Sequence, residues 1–427
     1  MKAYLGIKEL PIRAQRLILK VIISTTILSF FWFLSSAFFA LFVIDTVGIE
    51  LLGLLIAVGF LLQAFLDYPS GVLGDWLGQR WILLIGYSLE ALAYIVLFFA
   101  DSFNSLFGAY IIRAIAASQQ SGAIGTWLDN NYKLTAKDYD PQREIYKFFI
   151  GRWTAISNVM PGIAAAVGGV LATILFRQFV YIIQAIGLAV LAVVFLVIVK
   201  DFPGIERPKR SIKNYFKLLG EGLRFAFFDK RMLLFLIGLC TSSTIVLIWV
   251  EMMLFPVYFA YTGSDGGVGL LRLAVLLLGT ISIFYASKVA AKMEIRWVPI
   301  LTFIDTVIFY MGVAILTTCF SIDSIALNPI AIISFLMFYT PIYFFHGIKI
   351  ILNQRFFLDS VPDKNRNSIY SLIPTLLLIT SAPIAVIGGS LIKNLGVSAT
   401  AFLLGSSGII SVLFFHLSLR KKPIETI

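Results

Sequence analysis

The sequence predicts an all-α membrane protein in which twelve transmembrane helices form two pseudo-symmetric six-helix bundles. The first observation behind this prediction is composition, because 59% of the 427 residues are hydrophobic and only 13% are charged. A mean hydropathy of +0.93 excludes a water-soluble globular protein of this length. The second observation is a series of long apolar runs, and the third is a set of short motifs that recur between the two halves of the chain.

Each apolar run is long enough to cross a bilayer, since about 20 apolar residues span roughly 30 Å of hydrocarbon. The runs, called span 1 to span 12, cover approximately residues 19–44, 51–73, 81–100, 105–128, 148–174, 178–200, 232–260, 268–291, 298–319, 330–353, 368–392 and 397–419. The segment from Met1 to Lys20 carries five basic side chains, and no cleavage site follows span 1. Span 1 is therefore expected to be a retained helix and not a signal peptide.

Basic residues fall on one side of this arrangement. The segments before span 1 and after each even-numbered span hold 27 of the 34 lysines and arginines, whereas the opposite loops offer only Arg177 and Lys393. By the positive-inside rule, the sequence predicts a multi-pass protein of the cell (inner or plasma) membrane with both termini in the cytoplasm. The net charge of +11 therefore needs no nucleic-acid partner to explain it.

The chain divides into three predicted regions: an N-terminal six-helix bundle at 1–200, a cytoplasmic linker at 201–231 and a C-terminal six-helix bundle at 232–427. Within the linker, residues 211–228 place apolar and charged side chains on different faces of a helix. This pattern predicts an amphipathic helix that lies on the inner membrane surface.

Short motifs recur between the two predicted bundles at nearly constant offsets. The Arg-Trp pair that begins at Arg80 is echoed by a second pair that begins at Arg296. The Ala-x-x-Gly-Gly motif that begins at Ala165 is echoed, at almost the same separation along the chain, by one that begins at Ala385. The echoes predict that the two six-helix units arose by duplication.

The sequence predicts no metal centre, disulfide framework or other cofactor. Its two cysteines, Cys240 and Cys319, both fall inside apolar runs, where small buried hydrophobic side chains are expected. The only histidines are His346 and His416, which are too few for a histidine-based metal site.

The turn between spans 2 and 3 is the most informative local feature of the chain. It reads Gly71-Val-Leu-Gly-Asp75-Trp-Leu-Gly78-Gln-Arg80, with one acid and one arginine between two hydrophobic runs. Its glycines let helix backbones approach closely, and Asp75 can interact with a helix N-terminus, where the dipole favours negative charge. This turn resembles the G-x-L-x-D-x-x-G-x-R signature of the major facilitator superfamily.

Two further segments extend the resemblance to bacterial and archaeal members of that superfamily, loosely of the drug:proton antiporter branch. The segment from Ser121-Gly122 to Asp129 resembles the end of its fourth helix, and the segment that ends at Arg152 resembles the entry to its fifth. Span 5 departs from the branch, because Ala164 and Ala165 stand where the antiporter pattern G-P-x-x-G-G has Gly-Pro. The resemblance implies a cytoplasmic gate motif formed by Gly71, Asp75, Gly78, Arg80, Asp129 and Arg152.

The resemblance implies the major facilitator fold and, for function, a secondary active transporter. Such a protein moves a small organic molecule by alternating access, and proton-coupled efflux by an antiporter mechanism is the first expectation. The implied partners are a small-molecule substrate, protons and the lipid bilayer, and the expected state is a monomer. An uncoupled or importing facilitator of the same fold and a non-transporting membrane receptor are the alternatives, whereas an enzyme is not expected.

Candidate substrate-binding residues come from three spans. Arg113 lies deep in span 4, where a charge is costly and needs a partner, either a substrate or an acid on a neighbouring helix. Span 10 carries a polar stripe at helical spacing, which either lines a cavity or packs against span 11. The full set of candidates is Arg113, Gln120, Trp249, Tyr339, Tyr343 and His346. Lys349, farther along span 10, is expected to extend to the inner membrane face.

Four acids lie inside predicted spans. Glu251 in span 7 and Asp67 in span 2 are the candidates for proton coupling. Glu90 in span 3 and Asp305 in span 9 occupy nearly equivalent places in the two halves and are expected to brace the fold. Pro256 is expected to kink span 7, since proline cannot complete the helical hydrogen-bond pattern.

Overall fold

The computed structural model describes residues 2, 4–120, 123–200, 220, 224, 227–322, 325–360 and 363–420, with some side chains inside the helices left out. The predicted linker at 201–231 lies mostly outside the described residues, and so does its amphipathic helix. Ser121 and Gly122, in the motif at the end of span 4, are likewise outside them.

The described residues form twelve spans, as the sequence predicts. In the first bundle, span 1 comprises Ile12–Phe33 and Phe39–Val47, span 2 is Ile49–Leu77, span 3 is Gln79–Phe98, span 4 comprises Phe103–Gln120 and Ala123–Ala136, span 5 is Glu144–Ile174, and span 6 is Arg177–Ile198. In the second bundle, span 7 comprises Lys230–Ile248 and Leu254–Thr262, span 8 is Asp265–Ala290, span 9 comprises Val298–Thr302 and Phe309–Cys319, and span 10 is Pro329–Ser360. Spans 11 and 12 together form the stretch Asp363–Arg420. Ten helical stretches in this part of the chain are long and apolar enough to cross a membrane. Spans 11 and 12 share one of these stretches, and span 4 is not counted among the ten.

Four connections between spans turn on a glycine. Gly48, Gly78, Gly263 and Gly396 have φ angles of 86°, 88°, 72° and 79°, in the left-handed region that side chains with a Cβ atom rarely adopt. Gly48, Gly263 and Gly396 lie at one end of the bundle, here called the far end. Gly78 lies at the opposite end, here called the near end, where span 1 begins.

Spans 7 and 9 each contain a π-helical turn near the middle of the bundle. In span 7 this turn covers Trp249–Met253, directly before the segment that contains Pro256. Because proline has no N–H and clashes with the carbonyl four residues earlier, the hydrogen-bond ladder changes register there. The predicted disruption of span 7 thus takes the form of a π turn. The second π turn, Phe303–Ile308, contains Asp305.

The two bundles meet through glycines that face carbonyl groups across the seam between them. A Cβ atom on Gly269 would overlap the carbonyl oxygen of Ala165, so spans 5 and 8 are in backbone contact. Gly53 meets the carbonyl of Ala385 in the same way, between spans 2 and 11. Gly53 and Gly269 are separated along the chain by the same number of residues as the two Arg-Trp pairs. Ala165 and Ala385 are the first residues of the two copies of the Ala-x-x-Gly-Gly motif. The duplicated motif therefore makes the same contact twice across the seam.

At the near end, Asp140 organises the loop that leads into span 5. Its carboxylate accepts a hydrogen bond from the Tyr132 hydroxyl at 2.6 Å and from the backbone N–H groups of Tyr146 and Ile145 at 2.9 and 3.3 Å. Burial raises the pKa of Asp140, but these hydrogen bonds favour the ionised form more strongly, so its pKa lies below the usual value. The ionised carboxylate thus stabilises the first turn of span 5.

We expect Asp140→Asn to lower the stability of the folded protein by about 1 kcal/mol at pH 7. The pKa is lower in the folded state, so the stabilisation is present above the unfolded-state pKa near 3.8 and disappears as pH falls through the folded value. Thermal unfolding in detergent should therefore show a lower midpoint for the variant at pH 7 and a smaller difference near pH 3. Asp138→Asn, at an exposed residue of the same loop, is the matched control. An unchanged midpoint for Asp140→Asn at pH 7 would contradict the capping role.

Candidate functional site

A cavity of about 220 Å³ lies between the two bundles. The first bundle contributes aromatic residues and one arginine, among them Trp32, Tyr110 and Arg113. The second bundle contributes Glu251 from its π turn and Arg272 from span 8. Both halves of the molecule thus form the walls of one polar cavity, here called the first cavity, at the depth of the membrane core.

A second cavity of about 140 Å³ adjoins the first. The two share Val250 and Arg272 in their walls, so Arg272 stands where they meet. The other residues of the second cavity belong to spans 7, 9 and 10 and include Trp249, Asp305, Tyr339, Tyr343 and His346. The structure therefore brings four of the six predicted substrate-binding residues together in this cavity, and Arg113 lines the first.

Aromatic rings form a continuous wall along the second cavity. The ring centroids of Tyr339 and Tyr343 are 5.5 Å apart, and those of Tyr343 and His346 are 5.8 Å apart. Phe309 packs against both Tyr339 and Trp249 at 5.5 and 5.3 Å. The described ring contacts join span 10 to span 9, and through Phe309 to span 7, while Tyr339, Tyr343 and His346 line the cavity. The structure therefore agrees with the cavity interpretation of the span 10 stripe and not with packing against span 11. Such a wall can stack against a flat ligand.

Arg113 is held by an acid on the neighbouring span. Its Nε donates to Oε1 of Glu90 at 3.2 Å, and the Glu90 side chain is only 1% exposed. The guanidinium carbon also lies 4.7 Å from the ring centroid of Phe39 and 5.5 Å from that of Tyr94, as in cation–π contacts. Arg113 therefore pairs with an acid on a neighbouring helix, which is one of the two partners that the sequence allowed. Its side chain is still 26% exposed and lines the first cavity.

Asp305 binds two partners on span 10. Its Oδ1 lies 2.9 Å from Nδ1 of His346, and its Oδ2 accepts from Lys349. The expectation that Lys349 reaches the inner membrane face is wrong, because its side chain is 6% exposed and ion-paired inside the bundle. The physical reason is that a buried carboxylate lies within its reach. Asp305 thus joins spans 9 and 10, and it also lines the second cavity. Its expected role in bracing the fold stays a prediction.

The two halves use one construction for these buried charges. In the first half an acid on span 3, Glu90, pairs with a cation on span 4, Arg113. In the second half an acid on span 9, Asp305, pairs with Lys349 on span 10. The separation of the two acids along the chain is close to the offset of the duplicated motifs. The two cations, Arg113 and Lys349, are farther apart along the chain than that offset, so the halves share an acid–cation pair between the same two helices but not the position of the cation.

Arg272 is the site residue that sequence reasoning missed. It is the only charged side chain between Gly266 and Ser287 of span 8, and it lines both cavities. The signal that could have found it is the one that identified Arg113, a lone arginine at membrane depth. Phe39 and Tyr110, aromatic residues of the first cavity, carry no comparable signal, because aromatic side chains are common throughout the chain.

Two predicted site residues lie away from these cavities. Asp67 and Leu52, a residue of the first cavity, lie in one continuous helix. Asp67 comes 15 positions later and therefore lies about 22 Å from Leu52 in the direction of the near end. Gln120 packs against span 3, where a Cβ atom on Gly86 would lie 2.7 Å from its Cγ. Neither residue lines the first or the second cavity.

The residues of the predicted gate motif lie at the near end, and the structure describes only part of them. Gly78 supplies the positive φ angle that ends span 2, and the guanidinium carbon of Arg80 lies 5.4 Å from the Trp81 ring centroid. The surroundings of Gly71 and Asp75 lie outside the described part of the structure.

The other two gate residues make their described contacts within the first bundle. Asp129 accepts from Lys133 at 2.6 Å and from Arg143. The guanidinium carbon of Arg152 lies over the rings of Tyr4 and Phe148 at 4.6 and 4.1 Å. A role for these residues in gating stays a prediction.

Comparison with protein families decides the identity of this architecture. The family model of the Major Facilitator Superfamily matches residues 21–345, well over half of the chain. The chain belongs to the Major Facilitator Superfamily. It is therefore a membrane transporter and not an enzyme. The comparison with curated proteins finds no match.

Solved structures of other major facilitator transporters share this fold. The nucleoside transporter NupG superimposes with a TM-score of 0.73 at 14% identity, over 95% of this chain and 100% of that chain. An auto-inhibited POT family peptide transporter gives 0.71 at 10% identity, over 95% and 97% of the two chains. A D-xylose–proton symporter gives 0.69 at 13% identity, over 93% and 96%. At these identities the similarity shows the fold alone.

In this major facilitator protein, ion pairs join the two bundles at the far end. The guanidinium of Arg177 binds Asp265 of the second bundle through Nε and Nη2 at 2.7 and 2.8 Å, and Asp45 of the first through Nη1 at 2.5 Å. Lys393 and Glu50 form a second ion pair across the seam. We call these two groups the far-end lock, because they hold the bundles together on that side.

We expect Asp265→Asn to weaken the far-end lock. Arg177 then loses its bidentate carboxylate, and a charged hydrogen bond contributes about 1.5–3 kcal/mol, enough to shift a two-state population roughly tenfold or more. Spin labels at Phe99→Cys and Leu395→Cys, two exposed far-end positions in different bundles, would report the change by pulsed dipolar spectroscopy. Labelling needs a background in which the two native cysteines are replaced by alanine.

The expected result is a larger population at long inter-label distance in Asp265→Asn than in the parent. Asp138→Asn, which removes an exposed carboxylate at the near end, is the control that should leave the distribution unchanged. Identical distributions for parent and Asp265→Asn would show that the ion pairs do not hold the far end closed.

Proposed function

We propose that this chain is a secondary active transporter that carries a small organic molecule through the central cavities by alternating access, with a proton moved on Glu251. The observation that carries the proposal is the position of Glu251, an acid in a π turn of span 7 that faces a polar cavity between the two bundles. Acids inside the membrane commonly serve proton or ion movement, because an uncompensated charge there is costly.

Glu251 differs from the other acids around the cavities. Glu90 and Asp305 are each ion-paired with a cation on the next span. Among the described residues, no cation lies within ion-pair distance of Glu251, although the charge of Arg113 acts on it across the first cavity. A carboxylate without a fixed partner can change its protonation as the cavity fills and empties. Asp67, the second candidate for proton coupling, lies far from the cavities and is the weaker choice.

Alternating access is supported by the way the two bundles meet. Spans 5 and 8 and spans 2 and 11 touch at glycines, which permit close contact without interlocking side chains. The far-end lock consists of ion pairs that can break and re-form when the bundles rock. A rigid-body movement about the cavities is therefore compatible with the contacts described, and such rocking around a central site is common in duplicated transporters.

The proposed direction of transport is based on the sequence resemblance and not on the cavity. Efflux in exchange for protons is the direction that the antiporter-like motifs predict, and it stays part of the proposal. Import is the second candidate, favoured by the departure of span 5 from the antiporter pattern. The D-xylose–proton symporter with this fold is an example of proton coupling in the same architecture.

We expect Glu251→Gln to abolish substrate accumulation driven by a pH gradient while exchange of substrate across the membrane continues. The glutamine keeps the size and polarity of the side chain but cannot release a proton. The measurement is flux in proteoliposomes, with a substrate first identified by thermal-shift screening against metabolite and drug panels. The direction of the driving gradient separates efflux from import in the same assay.

Asp67→Asn and Glu294→Gln are the controls for that experiment. The first removes the other candidate proton carrier, and the second removes an exposed near-end acid with a side chain that is 66% exposed. Both should retain gradient-driven accumulation. If Glu251→Gln accumulates substrate as well as the parent does, Glu251 is not the proton carrier. Flux that is indifferent to the gradient in the parent would favour a facilitator.

We further propose that the near end is cytoplasmic, that the halves are joined by a linker at 201–231, and that the protein acts as a monomer. The orientation is supported by the basic residues of the near-end segments. In whole cells, a membrane-impermeant maleimide should label Phe99→Cys at the far end and leave Tyr139→Cys at the near end unlabelled. Both positions are exposed, at 70% and 62%. The reverse labelling pattern would invert the orientation.

A further inference from the structure

Arg272 is the one cation at the central cavities that has no described acid partner. Arg113 is paired with Glu90, and Lys349 and His346 are paired with Asp305. No carboxylate of the described residues lies within ion-pair distance of Arg272, and Glu251, in the same first cavity, is not paired with it. An arginine held at membrane depth without a counter-charge is costly, so its presence at the junction of two cavities requires an explanation.

The surroundings of Arg272 are polar hydroxyls and aromatic faces. Its charge acts on the hydroxyl groups of Tyr258, Tyr339 and Tyr343. A neutral tyrosine hydroxyl does not neutralise a guanidinium, so the positive charge of Arg272 remains available to a ligand. The planar guanidinium presents its N–H donors in a fork that matches the two oxygens of a carboxylate.

The cavity walls next to Arg272 favour a flat organic group. The rings of Tyr339, Tyr343 and Phe309 line the second cavity, and Val250 adds an apolar contact shared by both cavities. A ligand that placed its charged group at the junction would lay its body against these rings. The volumes of about 220 and 140 Å³ suit a small molecule and not a peptide of several residues.

We infer that the substrate is a small carboxylate with a flat, aromatic body, and that Arg272 binds its carboxylate group. This inference rests on the proposed transport function, because it takes the central cavities as the substrate site. It goes beyond that function by naming the chemical class of the substrate and the residue that selects it. The carboxylate supplies the counter-charge that Arg272 lacks, and the aromatic wall holds the ring.

The test is equilibrium binding to purified protein in detergent with three compounds of one skeleton: 3-phenylpropanoate, 3-phenylpropanamide and 3-phenylpropylamine. We expect the carboxylate to bind and raise the unfolding midpoint, and the amide and amine to bind roughly tenfold or more weakly, since charged bidentate hydrogen bonds exceed neutral ones in strength. Indole-3-acetate and its amide form a second matched pair for a larger ring.

Variants at Arg272 separate charge from geometry. Arg272→Gln should abolish the preference for the carboxylate, whereas Arg272→Lys, which keeps the charge and loses the fork, should retain a reduced preference. Arg296→Gln is the matched control, because Arg296 is 73% exposed and lies at the near end. If Arg272→Gln fails to fold, the lysine variant still tests the inference, since a carboxylate affinity equal to the parent's would exclude bidentate binding.

Two results would overturn the inference: equal binding of carboxylate and amide by the parent, or tighter binding of the amine, which would place the charge recognition on Glu251. Its failure is distinguishable from failure of the proposed function, because binding is measured without a membrane or a gradient. Gradient-driven flux of neutral compounds alone would refute the inference that the substrate is a carboxylate, and the proposed transport function would stand. Carboxylate binding with no flux would refute transport and leave the binding site intact.

Discussion

The structure depends on pairing buried charges between neighbouring helices. A charge at the centre of a bilayer costs about 2.5–3.5 kcal/mol on insertion scales, and an ion pair with good geometry offsets that cost. Glu90 with Arg113 and Asp305 with Lys349 meet this requirement between corresponding spans of the two halves. Each pair fixes how two adjacent spans face each other. The pairing therefore determines which polar side chains remain available to the cavities between the bundles.

The same constraint separates the charges that are paired within the fold from the charges to which we assign a function. Once the paired groups are set aside, Glu251 and Arg272 are the charged residues of the two cavities that keep no described ion-pair partner. One is an acid and the other a cation, and they come from consecutive spans, 7 and 8. Their position at the seam means that a movement of the two bundles changes what surrounds them. In the proposed mechanism, a substrate on Arg272 and a proton on Glu251 would meet the same moving surface, which would couple the two.

Helix irregularities occur at two of the acids that line the cavities. The π turns of spans 7 and 9 contain Glu251 and Asp305, and each turn re-aims side chains relative to a regular helix. At the seam, glycines allow backbone contact between the bundles, while the far-end lock adds ion pairs that water can replace. Close contact without deep side-chain interlocking is compatible with the opening of the seam that the proposed mechanism requires.

The sequence alone determined the membrane class, the twelve spans, the duplication and the superfamily, because hydrophobic length and motif spacing are local properties of the chain. It also identified Arg113, Trp249, Glu251 and the stripe on span 10, since polar residues at membrane depth stand out in an apolar run. Only the tertiary structure decided that Glu90 neutralises Arg113, that Lys349 turns inward to Asp305, and that Arg272 stands at the junction of two cavities. Gln120 and Asp67 carried the same local signal, yet they lie elsewhere. Which helix faces meet depends on packing between distant segments, and no local pattern encodes the partner that a buried charge will find.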